Sequence, residues 1–284
     1  MLKLIEERSR APLTTRSKYS VQHSSSKEHG WQIADSANFR VYHRDATRAE
    51  QVLQVAEETR ALTTGRWLGD KELAPWSVRC DIYLHATGDA YCRATGAPSD
   101  SPGHSSIGAE RDDASRIHSR RIDLRVDDPQ MLRAVLPHEA THVVLAGKFG
   151  RKVLPRWADE GLAILSEPTD RIERHTRLLP RAIEEKRVFG VGQLLELDDY
   201  PHPHFMQAFY GQSASLVEYL SELKGPRVFV EFLRSAPGEG CESALRRHYG
   251  LRDYADLELR WTQAIFANKD KIAAENREQK QPRE

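Results

Sequence analysis

The segment Leu136-Pro137-His138-Glu139-Ala140-Thr141-His142 carries the pattern H-E-x-x-H. On an α-helix, residues i and i+4 share one face, so the imidazoles of His138 and His142 can reach one metal ion. Glu139 follows the first histidine, where a carboxylate can act as base toward a metal-activated water. With 12 His and 24 Glu in 284 residues, chance supplies roughly 0.04 copies of the pattern. The competing reading is two histidines in a polar network and a surface glutamate, with no metal.

Upstream of this segment the pattern is that of strands. Phe39 and Val41 alternate with Arg40 and Tyr42, and Val78, Cys80, Ile82 and Leu84 alternate with Ser77, Arg79, Asp81 and Tyr83. Ile122, Leu124 and Val126 repeat the alternation. Between the first two strands, Val52, Val55, Ala56, Thr59 and Leu62 fall at helical spacing over 46–62. Residues 95–105 hold Gly96, Pro98, Pro102 and Gly103 and read as loop. Asp128-Pro129 suits an N-cap and first turn, opening a helix that runs to Gly147. Pro137 interrupts it, so the helix either bends there or restarts there. Both versions keep His138 and His142 on one face.

Downstream, the strand signals vanish. Residues 157–166, 177–186, 206–223, 227–235, 242–249 and 253–266 read as helices, the last four separated by Gly225-Pro226, Pro237-Gly238 and Gly250. The expected fold class is therefore α+β. A small mixed sheet with helices forms the N-terminal half, the H-E-x-x-H helix sits at the junction, and the C-terminal half is all helical. The expected organisation is a flexible polar arm over 1–30, an α/β subdomain over 31–147, a helical subdomain over 148–267, and a disordered charged tail over 268–284.

Lys+Arg and Asp+Glu both total 42, so no global field attracts nucleic acid or an anionic membrane. The local run from Arg116 to Arg125 reads as a solvated strand edge. No apolar run approaches the ~18–20 residues needed to span a bilayer. Met1–Ile5 lacks the apolar stretch of a signal peptide, which reads as a cytoplasmic protein or as one exported through a leader upstream of this start. Cys80, Cys92 and Cys241 form an odd, sparse set, with a Cys80–Cys92 bridge left open.

A catalytic zinc takes three protein ligands and keeps one position open. A histidine six residues after His142, preceded by glycine three positions earlier, would complete one such pattern. Those positions are Lys148 and Leu145, so a carboxylate from a following helix is the alternative. Trp157-Ala-Asp-Glu-Gly-Leu-Ala163 supplies it at Glu160, with 17 residues between His142 and Glu160. That spacing lets the chain leave one helix, turn, and return on a second. Gly161 suits a close helix–helix contact. His204 as third ligand is the remaining option. Asp159 reads either as support for a histidine nitrogen or as a helix-surface charge.

The runs Leu136-Pro-His-Glu-Ala-Thr-His and Pro155-Arg-Trp-Ala-Asp-Glu-Gly-Leu-Ala resemble the gluzincin metallopeptidases, particularly the small peptidase-MA-like families. Tyr210-Gly-Gln-Ser-Ala-Ser-Leu-Val-Glu-Tyr-Leu is similar to the helix that follows the site in such proteins. The resemblance spans residues 38–265 in overall order, with specific motif content at about 25 positions.

It implies a zincin-like fold and one Zn²⁺ per chain, bound by His138, His142 and Glu160, with Glu139 as general base. It also implies hydrolysis of a peptide or protein substrate. Members often place a downstream Tyr or His as oxyanion donor. Tyr210 is the first candidate, and His202 and His204, on the loop Tyr200-Pro-His-Pro-His-Phe, are its rivals. A substrate peptide in such proteins lies against an edge strand, for which Ser105–Ala109 is the candidate. The alternative function is a zinc-binding, non-hydrolytic module that binds peptide or protein in the same cleft.

Overall fold

In a computed structural model of the chain, the described residues are 19–25, 30–69, 74–98, 101–110 and 116–278. The chain divides into two compact units. One is Met1–Leu154 with Leu162–Arg171, and the other is Pro155–Gly161 with Ile172–Glu284. The chain leaves the first unit after Leu154 and returns to it after Gly161. Within that unit, Ser166 Oγ donates to the Pro137 carbonyl at 2.9 Å and Arg133 pairs with Asp170 at 2.6 Å.

The first unit is built on a mixed six-stranded sheet. Its strands are β1 (Gln22–Ser25), β2 (Gln32–Asp35), β3 (Phe39–His43), β4 (Cys80–His85), β5 (Gly103–Ala109) and β6 (Ile117–Arg125), in the order β1-β2-β3-β4-β6-β5. The pairs β3–β4 and β4–β6 are parallel, and the rest are antiparallel. Alternation in β3 and β4 sends Phe39, Val41, Cys80, Ile82 and Leu84 to one face, where Ile122 and Leu124 of β6 join them in the core.

Two helices cover that face. Helix α1 (Ala46–Thr63) starts where the Asp45 carboxylate accepts from the Arg48 N–H at 3.0 Å, and it buries Val52, Leu53 and Ala56. Helix α3 (Leu136–Val153) buries Leu136, Ala140 and Val143 in the same core. The short helix α2 (Gly88–Thr95) begins at the Thr87 cap and ends at Gly96, whose φ of +72° suits glycine.

The start of α3 decides how its histidines are presented. Over 131–135 the chain makes a wide turn in which the Val135 and Leu136 amides bond carbonyls five residues back, at Gln130 and Met131. Pro137 then lies in the first turn of α3, where a missing N–H costs no helical bond. The helix restarts at the proline, and it runs past Gly147 to Val153.

Order extends into the segment expected to be a flexible arm. Strand β1 pairs with β2 through Gln22–Ser25, all exposed and polar, so no apolar alternation marked it. The arm's residues 1–18 lie outside the described residues. The loop after α2 ends earlier than expected, at Gly103. From there β5 pairs with β6 and forms the sheet edge at which Ser105–Ala109 was expected. The arginines of 116–125 do not make an uncompensated strip. Arg121 forks onto Asp123 at 2.6 and 2.8 Å, Arg125 pairs with Asp127 at 3.2 Å, and Arg116 pairs with Glu110 at 3.3 Å. All three cysteines are free, so Cys80 and Cys92 do not bridge.

The second unit is helical among the described residues. After the first part of α4 (Arg156–Ile164) it contains α5 (Thr169–Thr176) from Ile172 on, then α6 (Leu179–Glu184), α7 (Val191–Leu195), α8 (Met206–Lys224), α9 (Pro226–Glu239), α10 (Cys241–Tyr249) and α11 (Tyr254–Glu278). The single helix expected over 177–186 is shorter: α6 starts beside Pro180, and Lys186, at φ +55°, follows its end. Helix α11 continues through the charged stretch expected to be a disordered tail. Ala, Glu, Lys and Arg are good helix formers and extend a helix already nucleated; residues 279–284 lie outside the described residues. Phe209, Leu216, Val217, Leu220, Phe229, Phe232 and Trp261 form the core of this unit. No helix among the described residues is long and apolar enough to cross a membrane.

Gly161 marks a close approach of α4 to α8 within the second unit. A Cβ there would lie 2.5 Å from the Ser213 carbonyl oxygen and 2.6 Å from Val217 Cγ2 of α8. Backbone cannot rotate out of the way, so Gly161→Ala should cost about 1–3 kcal/mol of stability. At roughly 2–4 °C per kcal/mol for chains near this size, a thermal melt reads the loss. An unchanged melting temperature would show that α4 and α8 separate easily.

Candidate metal centre

His138 and His142 stand one turn apart on α3, and their ring centroids lie 4.9 Å apart at an interplanar angle of 76°. Two imidazoles on one tetrahedral ion, each with a Zn–N bond near 2.0–2.1 Å, place their centroids roughly 5 Å apart. Glu160, on α4, completes the group. One ligand atom from each of His138, His142 and Glu160 lies within 4.8 Å of the others. Two imidazoles and one carboxylate form the donor set of a hydrolytic zinc site with one position left for water.

Burial supports the same fit. Glu160 is only 2% exposed, and a carboxylate so deeply buried is costly unless positive charge or hydrogen bonds meet it. Tyr200 donates its hydroxyl to Glu160 Oε1. Burial first, and then the neighbouring Glu160 carboxylate, push the Tyr200 phenol far above its ordinary pKa, so it stays a donor.

A second carboxylate orients the histidine. Glu167 Oε1 lies 2.9 Å from His138 Nδ1, its side chain only 5% exposed, and Arg171 approaches its other oxygen at 3.4 Å. With Nδ1 engaged, Nε2 is the nitrogen through which His138 would ligate. Both residues belong to the first unit, and this contact is one of those that join its two stretches of chain.

Glu139, 9% exposed, faces the edge of the sheet. A Cβ on Gly103, the first residue of β5, would lie 3.3 Å from Glu139 Cγ and 2.5 Å from Val135 Cγ1. The glycine thus lets the edge strand approach the carboxylate. Ser101 Oγ donates to the Gly103 carbonyl at 2.9 Å and lies 3.0 Å from the Tyr91 hydroxyl, which holds that strand end in place. Thr141, between the two histidines, is fully buried. Its hydroxyl donates to the Pro137 carbonyl at 2.8 Å and lies 3.4 Å from Thr63 Oγ1 of α1.

The remaining candidates are placed as follows. Tyr210, on α8, packs edge-on against His175 at 6.0 Å and sits near enough to Tyr200 to contribute to its shift. Asp159 pairs with Arg156 at 3.5 Å. His202 and His204 are exposed on a short turn, where the His204 N–H points to His202 Nδ1 at 3.3 Å. The third member of the metal group is Glu160, and His204 is not part of it.

Two residues at this centre escaped the sequence reading. Glu167 lies seven positions after Glu160, beyond the end of α4, and nothing distinguishes it from a surface glutamate without the fold. Tyr200 stood beside the histidines of its loop, which drew attention by residue type. No protein-family model matches this chain and no curated protein matches its sequence, so the centre stands on its own residues.

Proposed function

We propose that the protein is a zinc-dependent metallopeptidase of gluzincin type. The observation that carries this reading is the convergence of His138, His142 and Glu160 within 4.8 Å, with Glu139 beside them at the sheet edge. A zinc ion held by these three residues supplies Lewis acidity, acidifying water toward a pKa of ~7 and polarising a carbonyl.

The chain's own residues do the rest. Glu139 takes a proton from the attacking water as its oxygen adds to the scissile carbonyl carbon. It then passes that proton to the nitrogen as the C–N bond breaks, giving an acid and an amine. Glu167 holds His138 in one tautomer throughout. Tyr210 is the proposed donor to the developing oxyanion. The substrate backbone lies along β5, whose outer side is the open edge of the sheet and whose first residue, Gly103, lets Glu139 come close.

Intact Glu139 favours hydrolysis over a purely binding role, since a metal ligand set does not need the base. The test is to incubate the purified, zinc-loaded protein with casein and with a random peptide library and to read cleavage by mass spectrometry. Cleavage should appear, stop on addition of a chelator, and return with zinc. A zinc-loaded protein inert on both substrates would count against the peptidase reading.

A further inference from the structure

We infer that Tyr200 is a positioning residue for the Glu160 carboxylate, through which the exposed chain at 198–205 sets how tightly the site retains its metal. The inference rests on the metal-site reading above. Tyr200 is 44% exposed, yet its hydroxyl reaches a carboxylate that is 2% exposed, so the side chain bridges the surface to the buried ligand.

Several contacts hold that bridge. The Arg156 guanidinium carbon lies 4.8 Å from the centroid of the Tyr200 ring, and Phe209 meets the ring edge-on at 6.0 Å. Asp199 Oδ1 accepts from the Tyr200 N–H at 2.7 Å. Pro201 follows, which narrows the backbone choices of Tyr200 to extended conformations. Ring, backbone and hydroxyl are therefore all constrained.

The bridge acts on a torsion that is otherwise soft. The terminal torsion of a glutamate is broad, so its carboxylate plane is set by its partners and not by its own rotamer. A donor on Oε1 fixes that plane, and the carboxylate can then offer its second oxygen to a cation without reorienting. Partners of this kind are worth about 10–100-fold in metal affinity. The hydroxyl is committed to Glu160, which separates the role of Tyr200 from that proposed for Tyr210.

The experiment is zinc competition against a chromophoric chelator, with wild type, Tyr200→Phe and Tyr210→Phe compared at equal concentration. Circular dichroism of each apoprotein controls for folding. Tyr200→Phe removes one exposed-loop hydroxyl and keeps the ring, and it should bind zinc about 10–100-fold more weakly and release it faster. Tyr210→Phe should bind as wild type does. At saturating zinc, Tyr200→Phe should recover most of its peptide turnover.

Affinity of Tyr200→Phe within twofold of wild type would overturn the inference. So would unchanged affinity with turnover lost at saturating zinc, since that pattern belongs to a transition-state donor. A wild type that binds no zinc would remove the metal-site reading itself, a result distinct from either.

Discussion

Glu139→Gln should retain about one zinc per chain and lose nearly all peptide turnover. The two side chains share size and shape, so the close approach of Gly103 is preserved. Only the ability to accept a proton is lost. A positioned general base contributes about 10²–10⁴-fold, and here the same carboxylate both takes the proton and delivers it to the leaving amine. The expected loss is therefore at the upper end of that range. Metal analysis and steady-state turnover on the same preparation check both halves. Turnover within tenfold of wild type would remove Glu139 from the reaction, and loss of zinc would mean that the residue holds the site together instead.

The second large effect is at Glu160. Glu160→Gln keeps the shape of the side chain and an oxygen for the Tyr200 hydroxyl, but it removes the charge that a dication requires. Partners one step removed from a metal are worth about 10–100-fold in affinity, so losing a direct ligand should cost more than about 100-fold. The apoprotein should move the opposite way. A carboxylate 2% exposed carries a desolvation cost that a neutral amide does not, so the metal-free variant should melt at or above the wild-type temperature.

The wild type should gain stability with zinc, by about 2.7 kcal/mol at a metal concentration 100 times the dissociation constant. Glu160→Gln should gain almost none. Chelator titration and paired melts, with and without zinc, measure these quantities. Wild-type zinc affinity in Glu160→Gln would sink the ligand assignment.

Much of the fold was legible from local pattern. The alternation around Cys80–Leu84 and Ile122–Leu124 marked central strands, because a sheet with one buried face repeats every two residues. The helices at 46–63 and 206–224 showed in the same way, through their spacing of apolar residues. What failed were segments without a buried face of their own. Gln22–Ser25 is entirely exposed and becomes a strand only because β2 offers it a partner. The charged stretch after residue 267 continues a helix that the preceding turns had already nucleated.

The sequence by itself determined the part of the centre that lies on one helix. His138 and His142 owe their common face to the pitch of an α-helix, and Pro137 does not disturb it because it lies in the first turn. The aromatic and glycine residues around Glu160 also marked a second helix, since Gly161 is needed where α4 meets the backbone of Ser213. Tertiary structure alone decided the partners. Glu167 reaches His138 across 29 positions, and Tyr200 reaches Glu160 across 40. Side-chain pairs at such separations leave no periodic trace, because hydrogen bonds between distant elements depend on how the helices fold back and not on any local repeat. The shared face of His138 and His142 follows from helical geometry, while the partners of His138 and Glu160 follow from the packing.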